Sequence, residues 1–283
     1  MPQTPKQVPI ALLAGRGDLP RTLINVFQSQ HRPFVVLAFQ GQTEEDLIRD
    51  VPHIWLYFGE AGKALRYIEA HHIQEIVMAG AISRPAFNEI SPDWEGIKWL
   101  AKIGQKALGD DNLLKLVIGM IEERGYRVVG PDDILADLLA PEGLLTSHEL
   151  DEQAWRDIGR GLEVLSVLSP ADVGQAVVVQ EGLVLGIEAI EGTDRLIHRV
   201  ATLQRPGLGG ILVKIAKRQQ EQRVDLPVIG VETIRQAVKT GLRGIAVEAG
   251  RTLILNREET IKFAHEKNIF ILGLAGARCH KPL

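Results

Sequence analysis

The stretch "IALLAGRGDLPRTLINVFQSQHRPFVVLAF", Ile10 to Phe39, decides the fold of the first half of the chain. A short apolar run ends in glycine, apolar residues then recur at helical spacing, and a second apolar run follows. The alternation continues through "IWLYF", "EAGKALRYIEAHH", "EIVMAG", a helical region from about Asp93 to Arg124, and "YRVVG". Strands that alternate with helices predict a parallel sheet covered by helices, so we expect one α/β domain over residues 1–135.

The second half has a different order of elements. The stretch "ADLLAPEGLLTSHEL" carries Pro, Gly, Thr and Ser without a sustained strand period, so we expect residues 136–150 to link two domains. A helix then begins the second domain, and "QAVVVQEGLVLGIEAI" follows as two apolar runs separated by "QEG", a pattern typical of a β-hairpin. We therefore expect a mixed α/β domain over residues 151–283, unrelated to the first by repetition.

Composition excludes several classes of protein. With 283 residues, 45% of them hydrophobic and 24% charged, the chain is long enough for two packed cores. The formal net charge of −4 disfavours nucleic acid as a partner. The start lacks the features of a signal peptide, and no apolar run approaches the ~20 residues of a spanning helix, so we expect a cytoplasmic protein. Cys279 is the only cysteine, which excludes an intramolecular disulfide and a cysteine metal site.

Two loops of the first domain are candidates for ligand contact. In "GRGDLP", glycines follow a strand and precede a helix, but Pro20 replaces the third glycine of a dinucleotide fingerprint. Gly15 and Gly17 would allow close approach of a phosphate to the backbone, and a tight turn that starts the helix is the alternative. Ser83 and Arg84 follow another strand, in "MAGAISRP", so the two loops could share one ligand.

Three carboxylates gather where a strand of the second domain meets a helix, in "GIEAIEGTDRLIHRV". Thr193 or Asp194 could cap the first amides of the helix, which explains part of the cluster. Like charges this close are costly unless a cation or hydrogen bonds hold them. Oxygen ligands suit Mg²⁺ or Mn²⁺, so we predict a metal site that includes Glu188, Glu191 and Asp194.

A second charged stretch, "LVKIAKRQQEQRVDLPVIG", also belongs to the second domain. On an extended segment Arg223 and Asp225 would share a face, because residues two apart point the same way. Lys214 and Arg223 would supply positive charge to a diphosphate, while Asp225 could bind metal or orient water. A surface patch of salt bridges is the alternative.

A basic stripe lies on the long helical region of the first domain. Lys98, Lys102 and Lys106 recur every fourth residue beside Trp94 and Trp99. Such a stripe is typical of a solvated helix face, and it also suits contact with anionic lipid.

Seven blocks together resemble one family: "AGRGDLP", "MAGAISRP", "GDDNLL", "DVGQAVVV", "EAIEGTDRLIHR", "GGILVK" and "QRVDLPVIGVETI". The chain is similar to the UDP-2,3-diacylglucosamine pyrophosphatases of lipid A synthesis, in the version unrelated to calcineurin-like phosphoesterases. The resemblance implies a Rossmann-like N-terminal domain, a catalytic C-terminal α/β domain, a ligand in the cleft between them, and Mg²⁺ or Mn²⁺. Asp225 matches the residue that the family uses in catalysis. Glu221 departs from the pattern, where we expect aspartate, so a role for this acid is open.

The resemblance also implies a reaction, in which water attacks the uridine-linked phosphorus of UDP-2,3-diacylglucosamine to give UMP and 2,3-diacylglucosamine 1-phosphate, lipid X. It leaves open a peripheral contact with the inner membrane and a homo-oligomer. The predicted site residues are, for catalysis, Asp225, Lys214 and Arg223; for substrate, Gly15, Gly17, Asp18, Ser83, Arg84, Gln175 and Thr193; and for metal, Glu188, Glu191, Asp194 and Asp225. The alternatives are a non-catalytic nucleotide-sugar or lipid-binding regulator and an NAD-dependent oxidoreductase, which Pro20 and the lack of an acidic ribose ligand disfavour.

Overall fold

The structure is a computed structural model that describes residues 8–83, 90–103, 110–147, 149–217, 223 and 226–276. The chain divides into two compact units. The first contains the residues up to Ile134 together with a short segment that includes Arg223. The second begins at Leu135 and contains the rest of the described residues.

The first unit is built on a five-stranded sheet in which every neighbouring pair of strands is parallel. The order of the strands across the sheet is β3-β2-β1-β4-β5. The strands are β1 Ile10–Ala14, β2 Phe34–Phe39, β3 His53–Leu56, β4 Glu75–Ala79 and β5 Arg127–Val129. The helices are α1 Asp18–Ser29, α2 Glu45–Ile48, α3 Ala61–Ala70, α4 Trp94–Ile103, α5 Asp110–Glu122 and α6 Pro131–Ile134.

The apolar runs of this unit form its central strands. All five residues of β4 are buried, and β1 is buried at every residue except Leu13. Strands that are covered on both faces need such continuous apolar runs, and parallel sheets have helices on both faces. Helix α1 buries Leu23, Ile24 and Phe27 on one face. The predicted parallel-sheet α/β fold is therefore confirmed in this unit.

The helical region expected from about Asp93 to Arg124 contains two helices, α4 and α5. Residues 104–109, which lie between them, fall outside the described part of the chain.

The second unit contains a six-stranded sheet of order β6-β13-β11-β9-β7-β8. Strands β9, β11 and β13 are parallel to one another, while β6, β7 and β8 each run antiparallel to their neighbours. The strands are β6 Gly143–Leu144, β7 Ala176–Gln180, β8 Leu183–Ile187, β9 Ile211–Lys214, β11 Gly244–Glu248 and β13 Phe270–Leu274, and a separate parallel pair joins β10 Val228–Ile229 to β12 Leu253–Ile254. The helices are α7 Glu152–Leu168, α8 Thr193–Val200, α9 Val231–Lys239 and α10 Arg257–Glu266.

This sheet has a hydrophobic core on each face. Along β7, Val177 and Val179 belong to the core that contains α7, while Val178 belongs to the core that contains α8 and α9. The alternation follows from the period of two in a strand. Helix α7 approaches the sheet closely at Gly161, where an added Cβ would lie 2.6 Å from Cγ2 of Val213. The predicted mixed α/β fold of the second half is confirmed.

The predicted hairpin is present as β7 and β8. Its turn is formed by Glu181 and Gly182, which have φ angles of +52° and +78°. Positive φ at both positions matches the twist that joins two antiparallel strands. Asp157 of α7 is buried and accepts hydrogen bonds from both turn amides, at 3.1 Å and 2.7 Å. The hairpin is thereby attached to the helix that covers it.

Residues 136–150, which we expected to link two domains, belong to the second unit. Strand β6 pairs with β13, and the N–H of Leu145 donates to the carbonyl of Ile271 at 2.8 Å. The N–H of Ala140 donates to the carbonyl of Thr252, also at 2.8 Å. A sequence with proline and glycine and no strand period can still supply one short edge strand, because two paired residues are enough to form it.

Candidate functional site

In the first unit, the carboxyl ends of β1 and β4 define a candidate ligand site. The chain passes from β1 to β2 on one side, and β4 lies on the other side, so the strand order reverses at this point. Ligands of open α/β sheets bind at such a point, outside the carboxyl ends of the strands. The loops that follow the two strands are joined by hydrogen bonds between Arg16 and Ala81, at 2.9 Å and 3.0 Å. The structure therefore brings together the two loops that the sequence singled out.

Ser83 and its neighbours line this edge. The hydroxyl of Ser83 accepts a hydrogen bond from Nη2 of Arg16. The N–H of Ser83 donates to Oε1 of Gln42 at 2.9 Å. Side chains after β1, β2 and β4 thus meet at one place, and the exposed Arg16 brings a positive charge to it. Arg84, the other residue predicted in this loop, lies outside the described residues.

The glycines of "GRGDLP" differ in their surroundings. A Cβ on Gly15 would lie 2.7 Å from both the carbonyl oxygen of Ala81 and the carbonyl carbon of Gly80, so this glycine allows the two loops to pack. Gly17 has a φ of +98°, and no atom lies within 4 Å of the position of its missing Cβ. It precedes α1 without a side-chain cap, and Asp18 is the first helical residue. Open space and uncapped amides at a helix N-terminus suit an anionic group.

In the second unit, Glu188 is a buried carboxylate at the end of β8. Its Oε1 accepts a hydrogen bond of 2.6 Å from the hydroxyl of Thr193, and its Oε2 accepts one of 2.9 Å from the N–H of Gln175. The expected helix cap by Thr193 or Asp194 is wrong, because Gly192, with a φ of +80°, occupies the N-cap position of α8. The hydroxyl of Thr193 is directed to Glu188 instead.

The other two carboxylates of the cluster face different surroundings. Glu191 forms an ion pair with Arg199 at 2.7 Å and accepts a hydrogen bond from the N–H of Ala189 at 3.2 Å. A hydrogen bond accepted from its own backbone N–H, and then the one accepted from Arg199, lower the pKa of Glu191. Asp194 is exposed in the first turn of α8.

The metal site predicted from these carboxylates has no counterpart in the described part of the chain. Within residues 8–83, 90–103, 110–147, 149–217, 223 and 226–276, no three His, Cys, Asp or Glu side chains form a group that could hold a metal ion. The hydrogen bonds to Glu188 and the ion pair of Glu191 supply the compensation that a cation would otherwise provide. Glu188, Glu191 and Asp194 by themselves therefore do not fit a metal site, and Asp225, the fourth predicted ligand, lies outside the described residues.

The predicted catalytic cations belong to different units. Lys214 ends β9, is buried, and donates from Nζ to the carbonyl of Val228 at 2.8 Å. Arg223 groups with the first unit and forms an ion pair with Glu122 at 2.5 Å. Arg223 lies in a turn, and the extended geometry expected for residues 223–225 stays a prediction, because residues 224 and 225 lie outside the described part of the chain. The predicted pairing of its side chain with that of Asp225 stays a prediction, because Asp225 is not described.

A cavity of about 30 Å³ lies in the second unit near Gln175. Its lining includes the end of α7, the segment after β9 and Arg251, which follows β11. Oε1 of Gln175 and both Nε and Nη2 of Arg251 are buried and have no hydrogen-bond partner in the described part of the chain. Sequence reasoning missed Arg251. The available signal was its place just beyond the carboxyl end of a buried strand, where ligands of α/β sheets bind.

The lysine stripe of α4 is partly described. Lys98 pairs with Glu95 at 2.9 Å and lies 5.6 Å from the centre of the Trp94 ring, and Lys102 pairs with Glu123 at 2.9 Å. Lys106 lies outside the described residues.

No helix in the described ranges is long and apolar enough to cross a membrane.

Two family models match the chain in succession. The LpxI N-terminal domain matches residues 9–138, and the LpxI C-terminal domain matches residues 141–272. The chain belongs to the LpxI family. Among curated members, the UDP-2,3-diacylglucosamine pyrophosphatase LpxI of Caulobacter vibrioides is 37% identical over 272 residues, which cover 94% of this chain and 97% of that protein. The resemblance drawn from the seven sequence blocks is thereby confirmed for the LpxI family.

Solved structures give weaker matches to this LpxI family member. An N5-carboxyaminoimidazole synthase from Aspergillus clavatus, in complex with ADP and 5-aminoimidazole ribonucleotide, matches with a TM-score of 0.23 at 11% identity, over 70% of this chain and 44% of the other. The ATP complex of a carboxyaminoimidazole ribonucleotide synthase from the same organism also gives 0.23 at 11% identity, with 70% and 45% coverage. Scores this low bear on neither fold nor function.

Proposed function

We propose that this chain hydrolyses the diphosphate of UDP-2,3-diacylglucosamine to UMP and 2,3-diacylglucosamine 1-phosphate, lipid X. The observation that carries the proposal is the 37% identity to the Caulobacter vibrioides pyrophosphatase over 94% of this chain and 97% of that protein. Both domains of the family match this chain, the N-terminal one over residues 9–138 and the C-terminal one over residues 141–272.

The carboxyl edge of the first sheet supports contact with an anionic nucleotide sugar. Gly17 leaves the backbone accessible, the first amides of α1 have no side-chain cap, and Arg16 is exposed beside them. A diphosphate carries negative charge that helix amides and a guanidinium stabilise. We assign to this edge the recognition of the phosphates or of the attached nucleoside.

Asp225 is the proposed catalytic residue, on the strength of the family motif "RVDLP". A carboxylate at this place would orient the attacking water and accept its proton as the bond to phosphorus forms. Attack at the uridine-linked phosphorus breaks the bond from that phosphorus to the bridging oxygen. The bridging oxygen leaves with the sugar phosphate, so the oxygen of water enters UMP.

Dependence on Mg²⁺ or Mn²⁺ is part of the proposal and rests on the family motif. A bound divalent cation would neutralise phosphate charge. Glu188 accepts hydrogen bonds from the protein and Glu191 forms an ion pair with Arg199, so neither carboxylate requires a cation. We therefore assign metal contact to Asp225.

Product analysis with purified full-length protein and UDP-2,3-diacylglucosamine tests the function. We expect UMP and lipid X in equal amounts, loss of turnover in EDTA, and recovery when Mg²⁺ or Mn²⁺ is added in excess. Hydrolysis in ¹⁸O-water should label UMP. Label in the sugar phosphate would overturn the site of attack, and tight binding without products would favour the regulatory alternative.

A further inference from the structure

Gln175 and Arg251 both line one cavity in the second unit, and each carries buried side-chain polar atoms that have no hydrogen-bond partner among the described residues. Gln175 directly precedes β7, and Arg251 follows β11, so both lie near the carboxyl edge of the parallel strands β9 and β11. The cavity volume of about 30 Å³ exceeds the roughly 10–15 Å³ that one water requires. There is space for a small polar group.

The guanidinium of Arg251 is only partly satisfied. Its Nη1 donates to Oε1 of Glu248 at 3.3 Å, while Nε and Nη2 are buried without an acceptor among the described residues. Nε and Nη2 form one edge of the planar guanidinium, and this edge matches two oxygens of a phosphate or carboxylate. Buried donors that lack acceptors reduce stability, so an entering oxyanion gains both bonds.

Gln175 contributes the opposite chemistry. Its backbone is fixed, because its N–H donates to Glu188 at 2.9 Å and its carbonyl accepts from the N–H of Ile215 at 3.0 Å. The side-chain oxygen Oε1 is buried and unpaired in the described part of the chain, and it accepts hydrogen bonds only. A ligand that satisfies it must carry a donor, such as a hydroxyl.

The charges near the cavity are otherwise balanced. Lys217, on the cavity wall, pairs with Asp172 at 2.6 Å, and Glu248 also accepts a hydrogen bond from the N–H of Ala216 at 3.0 Å. Affinity for a ligand therefore depends on the Nε–Nη2 edge of Arg251, which has no acceptor among the described residues, and on Oε1 of Gln175, more than on net positive charge.

We propose that Arg251 and Gln175 bind a phosphoryl group and a hydroxyl of one phosphorylated sugar or nucleotide. The phosphoryl oxygens accept from Nε and Nη2 of Arg251, and the hydroxyl donates to Oε1 of Gln175. UMP and a hexosamine 1-phosphate both carry this chemistry, and the choice of these two probes rests on the proposed function. Binding at the cavity is independent of turnover.

Calorimetry on the full-length chain tests the site with UMP, glucosamine 1-phosphate and sulfate as separate probes. In Arg251→Lys the charge remains and the two-donor edge is lost, so the Kd of the bound phosphate ester should rise about tenfold or more. Gln175→Leu should raise that Kd by about threefold or more and leave sulfate unchanged, because sulfate has no hydroxyl to donate. The two esters separate the nucleotide from the sugar phosphate as the source.

Arg235→Lys is the matched control, because Arg235 is exposed and pairs with Glu232. It should leave every Kd within about twofold. Thermal midpoints without ligand detect a purely structural role, and Gln175→Leu decides the question by itself if Arg251→Lys does not fold. Binding of neither ester by the parent, or an unchanged Kd in a folded Arg251→Lys or Gln175→Leu protein, would overturn the site.

Turnover of UDP-2,3-diacylglucosamine separates this proposal from the proposed function. A parent that hydrolyses the substrate, beside variants with unchanged Kd, overturns the cavity site and leaves the function. A parent that binds a phosphate ester through Arg251 without hydrolysing the substrate overturns the function and supports the site.

Discussion

Thr193 donates a hydrogen bond of 2.6 Å to Glu188, a carboxylate that is 5% exposed. The N–H of Gln175 donates a hydrogen bond of 2.9 Å to the second carboxylate oxygen of Glu188. Glu188 therefore connects the end of β8 to the segment before β7 and to the first residue of α8. Hydrogen bonds from the protein explain this member of the acidic cluster without a cation, since a buried carboxylate needs donors for its oxygens.

We expect Glu188→Gln to lower the free energy of unfolding by about 1–3 kcal/mol, because the amide keeps one acceptor oxygen and loses the other. Glu142→Gln makes the same change at an exposed residue and should stay within about 0.5 kcal/mol. Denaturant unfolding of both variants measures the difference. Parent stability in Glu188→Gln, together with a lost response of the rate to Mg²⁺, would instead assign Glu188 to a metal site.

Gly15→Ala should destabilise the first unit by about 1–3 kcal/mol, since its Cβ would press on backbone atoms of Gly80 and Ala81 at 2.7 Å. Gly119→Ala is the contrasting change. It lies within α5 with no atom within 4 Å of its Cβ position, so it should stabilise by about 0.5–1 kcal/mol. Thermal and denaturant unfolding compare the two. Equal stability of the two variants would refute the close packing assigned to Gly15.

Asp225→Asn should lower kcat by roughly 10²–10⁴ while the thermal midpoint and the substrate Kd stay near those of the parent. The reason is that asparagine keeps the size of the side chain but cannot accept a proton from water. Asp50→Asn, an exposed change in the first unit, is the control. A folded Asp225→Asn protein within about threefold of the parent rate would remove this residue from the mechanism.

Asp151→Asn should reduce stability at pH 7 and make it less sensitive to acid. The bond to Arg243 at 2.8 Å, and then the bond from the N–H of Ala154, lower the pKa of Asp151 in the folded chain. A lowered folded pKa gives stability that is present above the unfolded pKa of about 3.9 and is lost as pH falls through the folded pKa. The gap between the thermal midpoints of parent and variant should be constant near pH 7 and should begin to narrow as pH falls below about 4. A gap that stays constant from pH 7 to pH 3 would contradict the linkage.

The triple variant of Lys98, Lys102 and Lys106 to Gln should bind anionic vesicles more weakly, by about 1 kcal/mol or less per lysine, with the difference removed by salt. Trp94, 71% exposed beside Lys98, would sit at the lipid interface. Co-sedimentation with anionic and neutral vesicles is the measurement. Unchanged sedimentation of the triple variant would identify the stripe as a solvated face paired with Glu95 and Glu123.

Patterns within single segments predicted much of the fold. The parallel sheet of the first unit and the hairpin of the second follow from apolar runs and their spacing, because a strand or helix is selected by residues close together in the chain. The predicted cap of α8 is wrong, because Gly192, at positive φ, is the N-cap residue and Thr193 is the first residue of the helix. Residues 136–150 form part of the second unit through pairing with strands more than a hundred residues away, which no local pattern encodes.

The sequence by itself determined the fold class and, through blocks spread along the chain, the LpxI family. Only the tertiary structure decided what surrounds each charged side chain. Glu188 is satisfied by Thr193 and Gln175, whereas two donors of Arg251 find no acceptor in the described part of the chain. The physical reason is that the nearest donors and acceptors determine whether a carboxylate or guanidinium is satisfied. Segments distant in the chain supply these partners only after the sheet has formed.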